Sequence, residues 1–213
     1  EKVAAFFYDK RFHFSYEENV VKRNFELIKF ALNLPFLSTA IDSKLPFLYP
    51  SHKYISNIIS NKKNNIVLIP GSSSFTKSYP AEKFAELPKY IDANFFIVWG
   101  DQAEKKLADK IKLLSPVVNV CEKLSLKLLI SLISQSDLVI GGDTGPTHIA
   151  WAMNIPSITL FGPTPGYRNT FRTRVNRIIE SDSIVNPKKI DNIDKSIQSI
   201  EVQDILKLVE ELL

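Results

Sequence analysis

The chain has 213 residues, 45% hydrophobic and 23% charged, with a formal net charge of +4 at pH 7, which is typical of a globular protein. A charge this mild gives no support for a nucleic-acid partner, and we predict none. No apolar run approaches the roughly 18 residues that a transmembrane helix needs, and the single cysteine, Cys121, excludes an internal disulfide framework.

The first fifty residues predict one helix and an irregular connection. Ser15 and Glu18 have the spacing of a capping box, and apolar residues then recur at helical intervals from Val21 to Leu32. Prolines interrupt the following segment, and apolar residues at 54–59 predict a further short helix. Because the first residues carry no signal-peptide pattern and Met153 is the only methionine, we expect the chain to be a piece of a longer polypeptide.

From residue 66 onward, short apolar runs alternate with helical patterns. The predicted strands are 66–69, 95–98, 117–120, 137–141 and 157–161, and the predicted helices are 80–91, 101–114, 125–135, 145–153 and 201–213. Runs without polar alternation are typical of strands buried on both faces. The sequence therefore predicts an α/β fold, a doubly wound parallel Rossmann-like sheet with ligands beyond the carboxyl ends of its strands.

The loop after the first of these strands, PGSSSFTKSYP, nearly matches a nucleoside-triphosphate signature. Thr76 stands where that signature requires a second glycine, and Pro80 moves the helix start beyond the Lys-Ser pair, so we reject the triphosphatase interpretation. The serine hydroxyls and the ammonium of Lys77 suit a diphosphate, although a solvated serine-rich turn explains the loop equally well.

Two further loops carry polar groups at strand ends. In VWGDQAEKK, Glu104 follows Asp101 at capping-box spacing and is also placed to accept hydrogen bonds from a ribose diol, and both roles stay open. In GGDTGPTHIAWAMNIPSITLFGPT, we expect Gly141 and Gly142 to turn the backbone off the strand. The same stretch predicts hydroxyl binding by Asp143, phosphate binding at a helix N-terminus formed by Thr144 and Gly145, and a histidine, His148, that projects toward the same place.

Other sequence features predict less. We expect Cys121 to be a small buried side chain rather than a nucleophile. The three histidines lie far apart in sequence, so we predict no metal site. Arg168, Arg172, Arg174 and Arg177 form a basic cluster that suits an anionic acceptor or an acidic membrane surface, with an ordinary solvated face as the alternative.

Taken together, the three loops resemble glycosyltransferase family 9, the ADP-heptose:lipopolysaccharide heptosyltransferases, and residues 6–32 are similar to the interdomain stretch of the heptosyltransferase I group. The resemblance covers nearly the whole chain and is most specific in Asp-Thr-Gly-x-x-His and Phe-Gly-Pro-Thr. It implies a two-domain GT-B enzyme of which this chain is the carboxyl-terminal half, with an interdomain helix and linker in 1–50 and the donor-binding domain in 51–213. Its implied donor-binding residues are Ser72, Ser73 and Lys77 for the diphosphate or heptose, Glu104 for the ribose, the backbone around Leu124 for adenine, and Asp143, Thr144, Gly145 and His148 for phosphate and heptose.

The resemblance also implies a function. That function is inverting transfer of L-glycero-D-manno-heptose from ADP-heptose to Kdo-lipid A in the lipopolysaccharide inner core. It implies work at the cytoplasmic face of the bacterial inner membrane, with peripheral contact to its anionic lipids as a further expectation. The general base is expected outside this chain, which would be inactive alone, and no cofactor or metal is required. The alternatives are a heptosyltransferase II, another nucleotide-sugar enzyme such as a UDP-dependent transferase or an epimerase, and a nonenzymatic nucleotide-binding module.

Overall fold

The structure is a computed structural model that describes residues 9–35, 43–51, 59–72, 74–188, 191 and 193–213. The helices are α1 (Val20–Leu32), α2 (Ala81–Tyr90), α3 (Gln102–Leu114), α4 (Leu126–Ile133), α5 (Gly145–Met153), α6 (Gly166–Asn169) and α7 (Val202–Leu212). The strands are β1 (Asn65–Ile69), β2 (Asn94–Ile97), β3 (Asn119–Val120), β4 (Leu138–Gly142), β5 (Ser157–Phe161) and β6 (Asn176–Glu180). The helix predicted at 54–59 falls almost entirely outside the described residues.

The six strands form one parallel sheet in the order β3-β2-β1-β4-β5-β6. This is the strand order of a Rossmann fold, in which the order reverses at the first strand. The central strands β1, β4 and β5 are buried along their whole length, as their uninterrupted apolar runs predict. The five predicted strands are confirmed, although β3 is shortened to two residues.

Helices cover both faces of the sheet. Along β1, Ile66 and Leu68 point to a cluster with α2, α3 and α7, whereas Val67 and Ile69 point to a second cluster with α4 and α5. Successive side chains of a strand alternate between its two faces, so each strand supplies both clusters. The doubly wound α/β arrangement predicted from the sequence is confirmed.

Two elements were not predicted. Strand β6, with the sequence NRIIE, has polar residues at three of its five positions because it lies at the edge of the sheet, where side chains reach solvent. Helix α6 has only four residues, and a single turn gives no helical periodicity in the sequence. Both elements follow β5 in the chain: α6 lies in the connection after β5, and β6 is the last strand on that side of the sheet.

Helix α1 begins later than the predicted capping box. Asn19 is the N-cap residue, and its Oδ1 accepts a hydrogen bond from Val21 N at 2.9 Å. The Ser15 hydroxyl instead accepts from Glu17 N, within a preceding turn. The capping box predicted at Ser15 is therefore wrong. No residue of α1 is buried, so the helix lies on the surface of the sheet domain.

The cluster beneath α7 provides a test of the packing. Ile205 is fully buried there, and Ile205→Ala should lower the free energy of unfolding by about 2–5 kcal/mol, because it removes buried methyl groups and leaves a cavity. Leu113 on α3 is 81% exposed, and Leu113→Ala should change the free energy of unfolding by less than about 0.5 kcal/mol. Urea unfolding measures both values, and similar losses for the two variants would contradict this packing.

Candidate functional site

A pocket opens where the strand order reverses, between β1 and β4. The chain leaves β1 toward α2 on one face and leaves β4 toward α5 on the other, so the loops diverge and leave a crevice at the carboxyl edge of the sheet. The pocket has a volume of about 240 Å³. Its lining consists of Ile69, Gly71, Val98, Trp99, Gly100, Glu104, Leu124, Leu129, Thr144 and Pro146.

Beside this pocket, the carboxylate of Asp143 gathers donors from four separate segments. Its Oδ1 lies 3.1 Å from His148 Nε2, and its Oδ2 lies 3.4 Å from Lys77 Nζ. Thr164 Oγ1 and Asn169 Nδ2 donate to the same Oδ2 at 3.2 and 3.1 Å. Three of these donors share Oδ2, whereas among the described residues Oδ1 accepts only from His148 and so keeps one acceptor position. Its side chain is only 9% exposed.

The donors decide the charge state of Asp143. Burial alone would raise the pKa of this carboxyl, but the His148 hydrogen bond and the Lys77 charge outweigh burial, with a further contribution from Asn169. The pKa falls from 3.8 to about 2. Asp143 is therefore a carboxylate at neutral pH, and it holds Lys77 and His148 in place.

Glu104 occupies the opposite side of the pocket, and half of its predicted capping box is present: Asp101 caps the helix, but the Glu104 side chain bonds to Gly100 and not to Asp101. The Glu104 backbone N–H donates to Asp101 Oδ1 at 2.9 Å, while its own Oε2 accepts from Gly100 N at 2.5 Å. The carboxyl group lies across Gly71, where an added Cβ would come within 2.2 Å of Glu104 Cδ. The glycine after β1 thus makes room for the carboxylate in the pocket.

The predicted adenine contact also lines this pocket. Leu124 lies in its wall together with Trp99, whose indole N–H donates to the Cys121 carbonyl at 2.8 Å. That hydrogen bond fixes the orientation of the indole. The wall between β2 and α4 is therefore flat and apolar, with the Glu104 carboxylate at its edge.

Helix α5 starts at the pocket, with Thr144 as its N-cap and Gly145 as its first residue. Thr144 and Thr147 have the arrangement of a capping box, in which Thr144 N donates to Thr147 Oγ1 at 3.3 Å. The buried Thr144 Oγ1 faces Thr147 N but makes no hydrogen bond of ordinary geometry among the described residues, so it has capacity for a ligand at the pocket wall. A Cβ added to Gly145 would meet nothing within 4 Å, so open space adjoins this helix N-terminus. Such a terminus attracts anions.

The expected turn at Gly141 and Gly142 is wrong. Both residues belong to β4, and neither has a positive φ. They are needed for space instead: a Cβ on Gly141 would lie 2.7 Å from Ile69 Cβ, and one on Gly142 would lie 2.8 Å from the Lys77 carbonyl oxygen. The second contact brings the Lys77 backbone against the end of β4.

The serine-rich loop is only partly described, and the predicted site residue Ser73 lies outside the described residues. Ser72 Oγ accepts from Ser74 N at 3.5 Å, and residues Phe75–Lys77 form a single 3₁₀ turn. Helix α2 begins only at Ala81, after Pro80, as predicted. Lys77 thus precedes the helix instead of opening it, which agrees with rejecting the triphosphatase interpretation.

The basic cluster is largely engaged with other groups. Arg172 pairs with Glu180 at 2.8 Å and Arg177 pairs with Glu211 at 2.6 Å. Arg168 stacks over the Tyr16 ring, 4.1 Å from its centroid. These contacts favour a paired, solvated face over one continuous basic patch.

Sequence reasoning missed Thr164 and Asn169. Thr164 follows the carboxyl end of β5, the neighbour of β4, and this position in the sequence could have indicated a residue of the site. Asn169 belongs to the unpredicted α6, so no signal pointed to it.

Cys121 is buried, and burial raises the pKa of its thiol to about 11, so the expected structural role is supported. Within the described ranges, no three His, Cys, Asp or Glu side chains come together as a metal-binding group. In that same part of the chain, no helix has the length and apolarity to cross a bilayer.

The strand order and the site at its reversal point define a doubly wound Rossmann-like protein, a class that binds nucleotides at this place. A family model for glycosyltransferase family 9 (heptosyltransferase) matches residues 1–200. The chain belongs to glycosyltransferase family 9.

Three comparisons illustrate this relationship. Lipopolysaccharide heptosyltransferase 1 of Campylobacter coli is 39% identical over 228 residues, which cover 100% of this chain and 66% of that protein. Lipooligosaccharide heptosyltransferase 2 of Campylobacter jejuni subsp. jejuni is 30% identical over 167 residues, covering 75% of this chain and 51% of that protein. The structure of E. coli heptosyltransferase WaaC with ADP superposes with a TM-score of 0.72 at 20% identity, covering 100% of this chain and 62% of WaaC. The chain thus spans between half and two thirds of these proteins.

The low pKa of Asp143 predicts a pH dependence of stability. Because this pKa is about 2 in the folded chain and 3.8 ordinarily, the carboxylate stabilises the fold above about pH 4, and the contribution is lost as the pH falls toward 2. Linkage puts it at roughly 2 kcal/mol. Urea unfolding between these pH values should show a shallower loss of stability for Asp143→Asn than for wild type. Asp182→Asn, at an exposed aspartate, should follow wild type; equal slopes for all three proteins would contradict the assignment.

Proposed function

We propose that this chain is the donor-binding, carboxyl-terminal part of a lipopolysaccharide heptosyltransferase that uses ADP-heptose. The carrying observation is the pocket at the β1/β4 reversal point together with the cluster around Asp143 beside it, which gives three chemically distinct parts. An apolar wall with one carboxylate suits a nucleoside, a cation with a helix N-terminus suits a diphosphate, and a partly exposed imidazole beside a carboxylate suits sugar hydroxyls. A nucleotide sugar has these three parts in the same order.

The nucleoside subsite is the pocket containing Glu104. Its carboxylate is positioned by Gly100 N–H and is placed to accept hydrogen bonds from ribose hydroxyls. The apolar walls formed by Trp99, Leu124 and Leu129 suit the flat face of a base. The bound ADP named for WaaC supports adenine as that base.

The diphosphate subsite joins Lys77 to the start of α5. Lys77 is fixed by Asp143 and keeps 15% of its side chain exposed. The unpartnered Thr144 hydroxyl and the open space at Gly145 adjoin it. With Ser72 and Ser73 from the preceding loop, these groups would hold both phosphates without a metal or cofactor.

The heptose subsite would lie toward His148, whose side chain is 40% exposed while its Nε2 contacts Asp143. Since Oδ2 already accepts from three donors and Oδ1 from one, we expect a sugar hydroxyl that reaches Asp143 to bind at Oδ1. His148, and backbone groups at the start of α5, are the more accessible partners for the sugar.

In the reaction, an acceptor hydroxyl of Kdo attacks the anomeric carbon of the heptose as its bond to the β-phosphate oxygen breaks, and the configuration inverts. Lys77 and the dipole of α5 stabilise the negative charge that develops on the departing ADP. We place the general base and most acceptor contacts in a segment that the longer relatives have and this chain does not match. On this proposal, residues 1–50 link the two domains and residues 51–213 form the donor domain.

The acceptor and the cellular location are part of the same proposal. A Kdo-lipid A acceptor requires work at the cytoplasmic face of the bacterial inner membrane, with peripheral contact to anionic lipid. Heptosyltransferase I is favoured over heptosyltransferase II because the first relative is 39% identical and the second 30%. Another nucleotide-sugar enzyme or a nonenzymatic module would retain the pocket but would not transfer heptose from ADP-heptose to Kdo-lipid A.

Nucleotide binding tests the donor site. Millimolar ADP should raise the thermal unfolding midpoint of the chain, because a ligand that binds only the folded state stabilises it. UDP and GDP should raise it less, and Lys77→Ala should lose the ADP effect. Lys106→Ala, which removes an exposed lysine from α3, is the matched control and should keep the effect. An equal response to all three nucleotides would contradict an adenosine-specific site.

Transfer activity tests the role of the whole enzyme. The full-length gene product should transfer heptose from ADP-heptose to Kdo-lipid A, detected as a mass increase of the acceptor, whereas the 213-residue chain should transfer none. Transfer only to an acceptor that already carries one heptose would establish heptosyltransferase II instead. Nucleotide binding without any transfer by the full-length protein would favour the nonenzymatic module.

A further inference from the structure

We propose that Asn19, at the start of α1, is a positioning residue of the donor site: it holds α6 so that Asn169 meets Asp143. The docking of residues 16–19 on the sheet domain then sets how tightly the site holds its nucleotide. This inference rests on the proposed function, since it concerns the same donor site, but its physical basis is a separate set of contacts.

The Asn19 side chain makes three hydrogen bonds with two different elements. Its Oδ1 caps α1 by accepting from Val21 N. Its Nδ2 donates to the carbonyl oxygens of Tyr167 at 2.9 Å and Thr170 at 2.6 Å. One amide thus joins the first turn of α1 to a segment about 150 residues away. The amide has two N–H groups, and both are used.

Helix α6 depends on such outside support because one helical turn is unstable by itself. Arg168 Nε donates to the Tyr16 carbonyl at 2.9 Å, which adds a second bond between α6 and the segment before α1. From the sheet side, Glu180 Oε1 accepts from Tyr167 N at 3.2 Å. The helix is therefore held between β6 and residues 16–19.

Asn169 carries this support into the site. Its Oδ1 accepts from Arg168 Nη1 at 3.0 Å, and because a guanidinium only donates, the amide must turn its Nδ2 the other way. Nδ2 then donates to Asp143 Oδ2 at 3.1 Å. Asp143 in turn holds Lys77, so the contacts run from α1 through α6 to the proposed diphosphate subsite.

The charge and cap chemistry of Asn19 allow a selective variant. In Asn19→Asp, one carboxylate oxygen still caps Val21 N, because Asp is as good an N-cap residue as Asn. The other oxygen, however, donates nothing to the Tyr167 and Thr170 carbonyls and, as part of an anion, repels them. The variant therefore keeps α1 capped and opens the link to α6, by loss of two hydrogen bonds and by repulsion.

The experiment measures ADP affinity by calorimetry for wild type, Asn19→Asp, Asn169→Ala and the double variant. Asn19→Asp should weaken ADP binding roughly fivefold, the effect of about one hydrogen bond. If Asn19 acts through Asn169, the double variant should bind no more weakly than Asn169→Ala alone. Lys22→Ala, which breaks an ion pair with Glu18 near the same helix end, is the control and should bind as wild type does. Wild-type affinity in Asn19→Asp, or additive losses in the double variant, would overturn the proposal.

Hydrogen exchange provides a readout that needs no nucleotide. The amides of Asn169 and Thr170 donate within α6 to the carbonyls of Pro165 and Gly166. They should exchange faster in Asn19→Asp than in wild type, while β1 and β4 remain unchanged. If wild type bound no ADP, the proposed function would fail, and exchange alone would decide whether Asn19 holds α6. Unchanged exchange at these two amides would refute that role.

Discussion

The site depends on one buried carboxylate. Asp143 follows β4 and draws Lys77 from the loop after β1, His148 from α5, Thr164 from the end of β5 and Asn169 from α6. A buried charge is tolerated only when it is paired and hydrogen-bonded, so these segments are constrained to converge on it. The crevice at the β1/β4 reversal point is consequently prearranged before any ligand enters.

The polar groups of the site have different roles. Asp143 accepts four hydrogen bonds and acts mainly by holding Lys77 and His148, whereas other groups at the site have more hydrogen-bonding capacity left. These are the Thr144 hydroxyl, the start of α5 and the Glu104 carboxylate, the last of which is fixed over Gly71 by its bond from Gly100 N–H. On the proposed function, preorganised charges of this kind would stabilise a leaving diphosphate without having to reorganise during the reaction.

The sequence was sufficient for the parts of the fold that follow from local pattern. Strands buried on both faces give uninterrupted apolar runs, so β1, β4 and β5 were predicted nearly to the residue, and the loops after them followed from the parallel topology. Strand β6 escaped because an edge strand tolerates polar residues, and α6 because one turn has no period. Asn169 and Asn19 act through contacts between distant parts of the chain, which no local pattern records.

We propose that the crevice at the reversal point is an ADP-heptose donor site, and a crystal structure of the chain with ADP tests this proposal. We expect the ribose hydroxyls on Glu104, the base against Trp99 and Leu124, and the diphosphate between Lys77 and the start of α5. A nucleotide bound elsewhere, or one whose phosphates point away from Lys77, would contradict it.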